Sequence, residues 1–151
     1  GGPNGYQAFS DAQHQQSVFD IESSVSFLHS RGAEKIHIGG ASIGANLALQ
    51  YAGQHPEIAS VMLLSPGLDY QGIHTDIWID NIKPNQAVLL MASDDDIYSF
   101  TSVKTLYDRS SNLPRREVKL LSEAGHGTDV FKKNPGFVNE LVAWLNKADS
   151  P

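Results

Sequence analysis

The chain has 151 residues, 40% of them hydrophobic and none of them cysteine, which suits one domain whose core needs no disulfide or thiolate–metal support. Its 11 basic against 17 acidic residues give a net charge of -6, which repels phosphate backbones and anionic lipid and argues against nucleic acid or membrane as a main partner. No apolar run approaches the ~20 residues of a bilayer span, so a small molecule is the expected partner.

Residues 1–12 are rich in Gly, Pro, Asn and Ser and read as a loop. The chain begins Gly1-Gly2-Pro3 without Met or a signal-like segment, so its localisation stays open, with the cytoplasm as the default. From about Ala12 to Arg31, Val18, Ile21, Val25 and Leu28 recur at spacings of three and four, predicting one amphipathic helix stopped by Gly32. Lys35 to Ile38 reads as a strand, and Ile43 to Gly53 as a helix small or apolar on nearly every side, hence buried. Ile58 to Leu64 is a near-continuous apolar run of the kind found in parallel strands covered on both faces.

Between Leu68 and Pro84 apolar and polar residues mix without a clear period, and a short helix is the most the pattern supports. Ala87 to Ala92 is a third strand, and Ser99 is the expected cap of a helix carrying Phe100, Val103, Leu106 and Tyr107 on one face. Glu117 to Leu121 is a fourth strand. Asn134-Pro135 then opens a last helix with Phe137, Val138, Leu141, Val142 and Leu145 as its buried stripe. Strands alternating with helices predict an α/β fold: a parallel sheet of about four strands flanked by helices on both faces, with sites at the carboxyl ends of the strands.

The first strand runs into Gly40-Ala41-Ser42-Ile43-Gly44, a G-x-S-x-G segment at a strand-to-helix junction. In such a turn small residues at both ends let the chain close, and the serine hydroxyl is exposed. A serine needs a base to take its proton, and that base needs a carboxylate to orient it. Loops after the third and fourth strands supply both types in order: Ala92-Ser93-Asp94-Asp95-Asp96, then Ser122-Glu123-Ala124-Gly125-His126-Gly127.

These segments resemble the α/β-hydrolase fold family over about Ala12 to Ala148. Its serine members show G-x-S-x-G, an acid in a G-x-x-D-like loop after a strand, and G-H before the last helix. The resemblance implies Ser42 as nucleophile, His126 as base, Asp95 as acid and the Ile43 N–H as one oxyanion donor. Ala92 stands where the family often has Gly, and Asp94 and Asp96 flank Asp95, so a shift by one residue stays open; three adjacent carboxylates also raise one another's pKa. It further implies a serine hydrolase cleaving a small carboxylic ester without cofactor or metal, and the serine excludes the dehalogenase branch, which has Asp at this position. A peptidase or thioesterase would use the same chemistry.

The family's second oxyanion donor lies in a loop after an earlier strand, and no such strand precedes the first helix here. The expectation is therefore an N-terminally truncated domain whose Lys35–Ile38 strand is left as an edge, to pair with a missing segment or a second copy. A non-catalytic half-domain that keeps the triad without a complete oxyanion hole is the competing expectation. His14, His29, His37, His55 and His74 lack metal-ligand spacing and read as structural. Arg115, Arg116 and Lys119 read as a solvated face, while Tyr70, Trp78 and Pro66 either line an acyl pocket or simply pack.

Overall fold

The computed structural model describes residues 5–148. A 3-10 turn, Gly5–Ala8, precedes α1 (Asp11–Gln15), which opens on a capping box between Ser10 and Gln13. The helix expected from Ala12 to Arg31 is two helices, the second being α2 (Val18–Ser30). At the junction the hydrogen bonds tighten: Phe19 N–H donates to the Gln16 carbonyl and Asp20 N–H to that of Ser17, an i to i−3 pattern that breaks the α-helical register.

Then follow β1 (His37–Ala41), α3 (Ile43–Gln54) and β2 (Ser60–Leu64). The segment without a period contains β3 (Asp69–Tyr70), β4 (Ile73–His74) and α4 (Thr75–Ile79), and β3 and β4 form an antiparallel hairpin that the sequence reading did not foresee. The remaining elements are β5 (Ala87–Ser93), α5 (Ile97–Arg109), β6 (Arg116–Leu121), α6 (Val130–Lys133) and α7 (Phe137–Ala148).

The main sheet has the order β1-β2-β5-β6 with every pair parallel, as the βα alternation requires. Alternation along β2 and β5 splits the core into two layers. Val61, Leu63, Val88 and Leu90 face α2, α3 and α5, while Leu64, Leu89 and Met91 face α6 and α7. All seven residues of β5 are buried, so truncating Leu89 or Leu90 to Ala would cost about 2–5 kcal/mol.

α3 is buried along most of its length, as its composition dictates. α7 buries Phe137, Trp144 and Ala148, whereas Val138 and Val142 are exposed. The stripe foreseen on this helix was therefore too wide, because it is the side bearing Phe137, Trp144 and Ala148 that packs on β2, β5 and α6. α7 also starts at Phe137 rather than at Pro135, and Asn134 closes α6 instead. Likewise Ser99 lies inside α5 and is fully buried, with Asp96 at the capping position. Among the described residues no helix is long and apolar enough to cross a membrane.

Candidate active site

Because the sheet is parallel, the carboxyl ends of β1, β2, β5 and β6 lie together, with Ala41 opposite Leu64 and Ser93 opposite Leu121. Ser42 sits between β1 and α3 at φ 56°, ψ −129°, a conformation that costs a non-glycine residue about 1–3 kcal/mol. Its N–H donates to the Leu64 carbonyl at 2.9 Å, which fixes the turn to β2. A Cβ on Gly40 would stand 2.1 Å from the Gly44 carbonyl oxygen, so the turn closes only with glycine there. A Cβ on Gly44 would meet no atom within 4 Å. The requirement for a small residue at both ends therefore holds at Gly40 alone. Ile43 is the first residue of α3, where a backbone N–H has no preceding carbonyl to bond within the helix.

His126 follows β6, and its Nδ1 lies 2.6 Å from Asp96 Oδ2. Asp96, not the expected Asp95, is thus the carboxylate that meets the imidazole. Asp95 instead accepts from the Gly125 N–H at 3.0 and 3.2 Å and pairs with Lys133 at 3.2 Å. Asp94 accepts from the Ser122 hydroxyl at 2.7 Å and the Glu123 N–H at 2.9 Å, and Ser93 Oγ accepts from the Ala124 N–H at 2.8 Å. Four consecutive residues of one loop are in this way bonded to the loop that carries His126. Glu123, Gly125 and Gly127 have φ of 52°, 79° and 57°, and this winding brings the amides inward.

The charge of Asp95 does push Asp94 up, as expected of neighbouring carboxylates, but hydrogen-bond donors outweigh it, and all three are held below the usual range. For Asp94 the Glu123 N–H and the Ser122 hydroxyl are the main causes. For Asp95 the Ser93 hydroxyl leads, opposed by partial burial and helped by the Gly125 N–H and Lys133, bringing it to about 2. Burial pushes Asp96 up, but hydrogen bonds from His126 and Ser99, the imidazole's charge and the Ser65 hydroxyl outweigh it. Each carboxylate is thus ionised by its own donors.

The two ends of the site meet through β2. Gly127 N–H donates to Ser65 Oγ at 2.8 Å, and a Cβ at Gly127 would touch that of Ala41 at 3.4 Å, so the residue after His126 packs on the residue before Ser42. Ser42 and His126 share no hydrogen bond among the described residues; such bonds commonly tighten only when substrate is bound. Tyr70 neighbours both. Its ring is edge-on to the imidazole with centroids 6.5 Å apart, its phenol lies 3.1 Å from Ser99 Oγ, and the Ser42 hydroxyl is among the groups acting on it. Burial and the charge of Asp96 push the phenol up, so it stays protonated.

Sequence reasoning singled out Ser42, Ile43 and His126, left Asp96 open as a shift by one from Asp95, and did not foresee Ser65 or Ser99 in this network. A usable signal for Asp96 was its place directly before the helix: an Asp there normally caps, and this one makes no cap bond because its carboxylate is turned to His126. Pro66 is buried, and Trp78 packs against the core below α3, so both take the packing role. The residues read as a solvated basic face make tertiary contacts instead: Arg115 bonds the Ala148 carbonyl at 3.1 Å, Arg116 stacks on Tyr107 at 4.1 Å, and Lys119 pairs with Glu140 at 2.6 Å.

No family model and no curated sequence matches the chain. Among solved structures it is similar to the esterase Pf2001 of Pyrococcus furiosus, with a TM-score of 0.76, 14% identity, and 89% of this chain and 63% of that one covered. The chain has the α/β-hydrolase fold. A thermostable carboxyl esterase of Bacillus coagulans matches with a TM-score of 0.75 at 10% identity over 89% of this chain and 72% of that one. A bacterial membrane phospholipase A matches with 0.70 at 14% identity over 95% and 65%. At such identities the likeness speaks for the fold alone, and the chain spans under two thirds of the Pyrococcus esterase's length. An α/β-hydrolase fold places its sites at the carboxyl ends of its strands, where Ser42, Asp96 and His126 lie.

Proposed function

We propose that the chain is a serine hydrolase that cleaves a small carboxylic ester through an acyl-serine. The observation that carries this reading is the 2.6 Å bond between His126 Nδ1 and Asp96, at the same end of the sheet as the strained Ser42. Asp96 holds the tautomer in which Nδ1 carries the proton and Nε2 is free to act as a base. Ser42 Oγ attacks the carbonyl carbon as Nε2 takes its proton, and the carbonyl oxygen becomes an oxyanion facing the Ile43 N–H. The ester C–O bond then breaks, the departing alkoxide takes the proton from Nε2, and Ser42 is left acylated. Water repeats the sequence with His126 again as base and returns the serine. No step requires a cofactor.

Fluorophosphonate labelling of the purified chain tests the proposal. One adduct per chain is expected at neutral pH, abolished in Ser42→Ala and strongly slowed in His126→Ala. An unlabelled chain would sink it in favour of a non-catalytic half-domain. That second reading is favoured by β1 having only β2 as a strand neighbour among the described residues, since an oxyanion hole short of one donor typically loses about 10²- to 10³-fold in turnover.

A further inference from the structure

The hairpin of β3 and β4 is anchored from every side, yet it adds no strand to the main sheet. Asp69 N–H donates to the Tyr98 phenol oxygen and the Tyr98 hydroxyl donates to the Asp69 carbonyl, both at 3.0 Å. Asn46, fully buried in α3, donates to the Ile73 carbonyl at 2.9 Å and accepts from the Gly67 N–H at 3.1 Å. Thr75 Oγ1 donates to the Gly67 carbonyl at 2.6 Å, and the Gly72 N–H donates to Asp69 Oδ1 at 2.8 Å. A Cβ on Gly67 would strike the rings of Tyr98 and Tyr70 at 2.6 and 2.7 Å, so the backbone gives way to let both rings in. These contacts fix one side chain against the histidine. Tyr70 meets Tyr98 edge-on at 5.5 Å and then the His126 imidazole at 6.5 Å, nearly perpendicular.

In acyl transfer, the group beside the imidazole is the one that borders the leaving alcohol, because the imidazole must reach that oxygen to protonate it. We propose that Tyr70, held edge-on to His126 by the anchored hairpin, forms the alcohol side of the site and donates its phenolic hydrogen to the departing ester oxygen. This deepens the hydrolase reading and rests on it. The one hydrogen of Ser99 Oγ is directed to Asp96 or to the Ser65 carbonyl 3.3 Å away, and in either case its lone pairs are left to receive the Tyr70 hydrogen. At 3.1 Å that bond is longer than the ~2.7–2.8 Å usual between hydroxyls, and the phenol turns from it readily. As the C–O bond breaks, the phenol hydrogen-bonds the oxygen while Nε2 delivers the proton; Tyr70 itself gains and loses none. The raised pKa of Tyr70 keeps this donor available at neutral and mildly alkaline pH.

The test is the leaving-group dependence of Tyr70→Phe, which keeps the ring and removes one oxygen. A series of acetate esters from activated aryl to simple alkyl alcohols is assayed with the full chain and the variant, with thermal melts of both. The expected result is a loss in kcat/KM of about tenfold on alkyl acetates and under about twofold on p-nitrophenyl acetate, whose leaving group needs little help. Tyr70→Ala should show the same slope with an added rise in KM. An equal loss on every ester, or none on any, would overturn the role of Tyr70 while leaving a labelled, active parent chain as a hydrolase. A parent chain that neither labels with fluorophosphonate nor turns over any ester would overturn both.

Discussion

Asp94, Asp95 and Asp96 share chemistry and adjacency but not task, and what separates them is the donor each one meets. Asp96 touches the imidazole, so Asp96→Asn should reduce kcat by about 10³- to 10⁴-fold, the scale set by a wrong histidine tautomer. Asp95→Asn keeps an acceptor for the Gly125 N–H and should cost under about tenfold. Steady-state kinetics of the two variants side by side decide the point, and comparable losses would refute the division of roles. Asp95 is also a stability group. Its pKa of about 2 in the folded chain lies below the ~3.9 of an unfolded Asp, so the unfolded state binds the proton first as pH falls. Its contribution is complete above about pH 4 and disappears as pH drops towards about 2. Tm measured over that interval should fall more steeply in the parent chain than in Asp95→Asn, and less so in high salt because the pair with Lys133 is exposed. Parallel curves would remove the assignment. None of this division could be read from three identical letters in a row, whereas Ser42 and His126 were legible because their neighbours are glycines at fixed offsets.

At the scale of elements, the nucleophile turn is held by one glycine and not by two. Gly40→Ala would press a methyl against the Gly44 carbonyl at 2.1 Å and should either unfold the turn or displace Ser42, seen as a lowered Tm together with lost fluorophosphonate labelling. Gly44→Ala meets open space and removes backbone entropy from the unfolded chain, so Tm should rise by the equivalent of about 0.4–1 kcal/mol. A drop in Tm for Gly44→Ala would show that the start of α3 needs its glycine after all. The sheet was legible because buried parallel strands are written as apolar runs: β2 falls inside the run foreseen, and β5 exceeds its run by Ser93 alone. The β3–β4 hairpin was not, because two-residue strands carry no alternation. Its turn also places Gln71 at φ 54° beside Gly72 at 76°, a conformation that Asn-Gly, and not Gln-Gly, normally announces. The feature that shapes the alcohol side of the site is therefore the one the sequence hides best.

For the molecule as a whole, β1 is the point of imbalance. Among the described residues its one strand neighbour is β2, and beside it runs an apolar groove of about 360 Å³ lined by Ile21, Val25, Leu28, Ile36 and Ile38. Natural edges are blunted by Lys, Pro or a bulge. His37-Ile38-Gly39-Gly40-Ala41 carries no Lys or Pro, and its two glycines let another backbone approach closely. In a solution of the purified chain a second copy offers this edge the same strand, and a self-complementary pair closes as a two-fold dimer. The net charge of -6 opposes that association and salt screens the opposition. Light scattering over a concentration series should therefore show dimer forming in the micromolar range and strengthening with added salt. Ile38→Lys, which sets a charge at the groove and on the edge, should return the chain to monomer. A parent chain that stays monomeric at high micromolar concentration and high salt would refute pairing between copies, and association unaffected by Ile38→Lys would place the contact on some face other than β1.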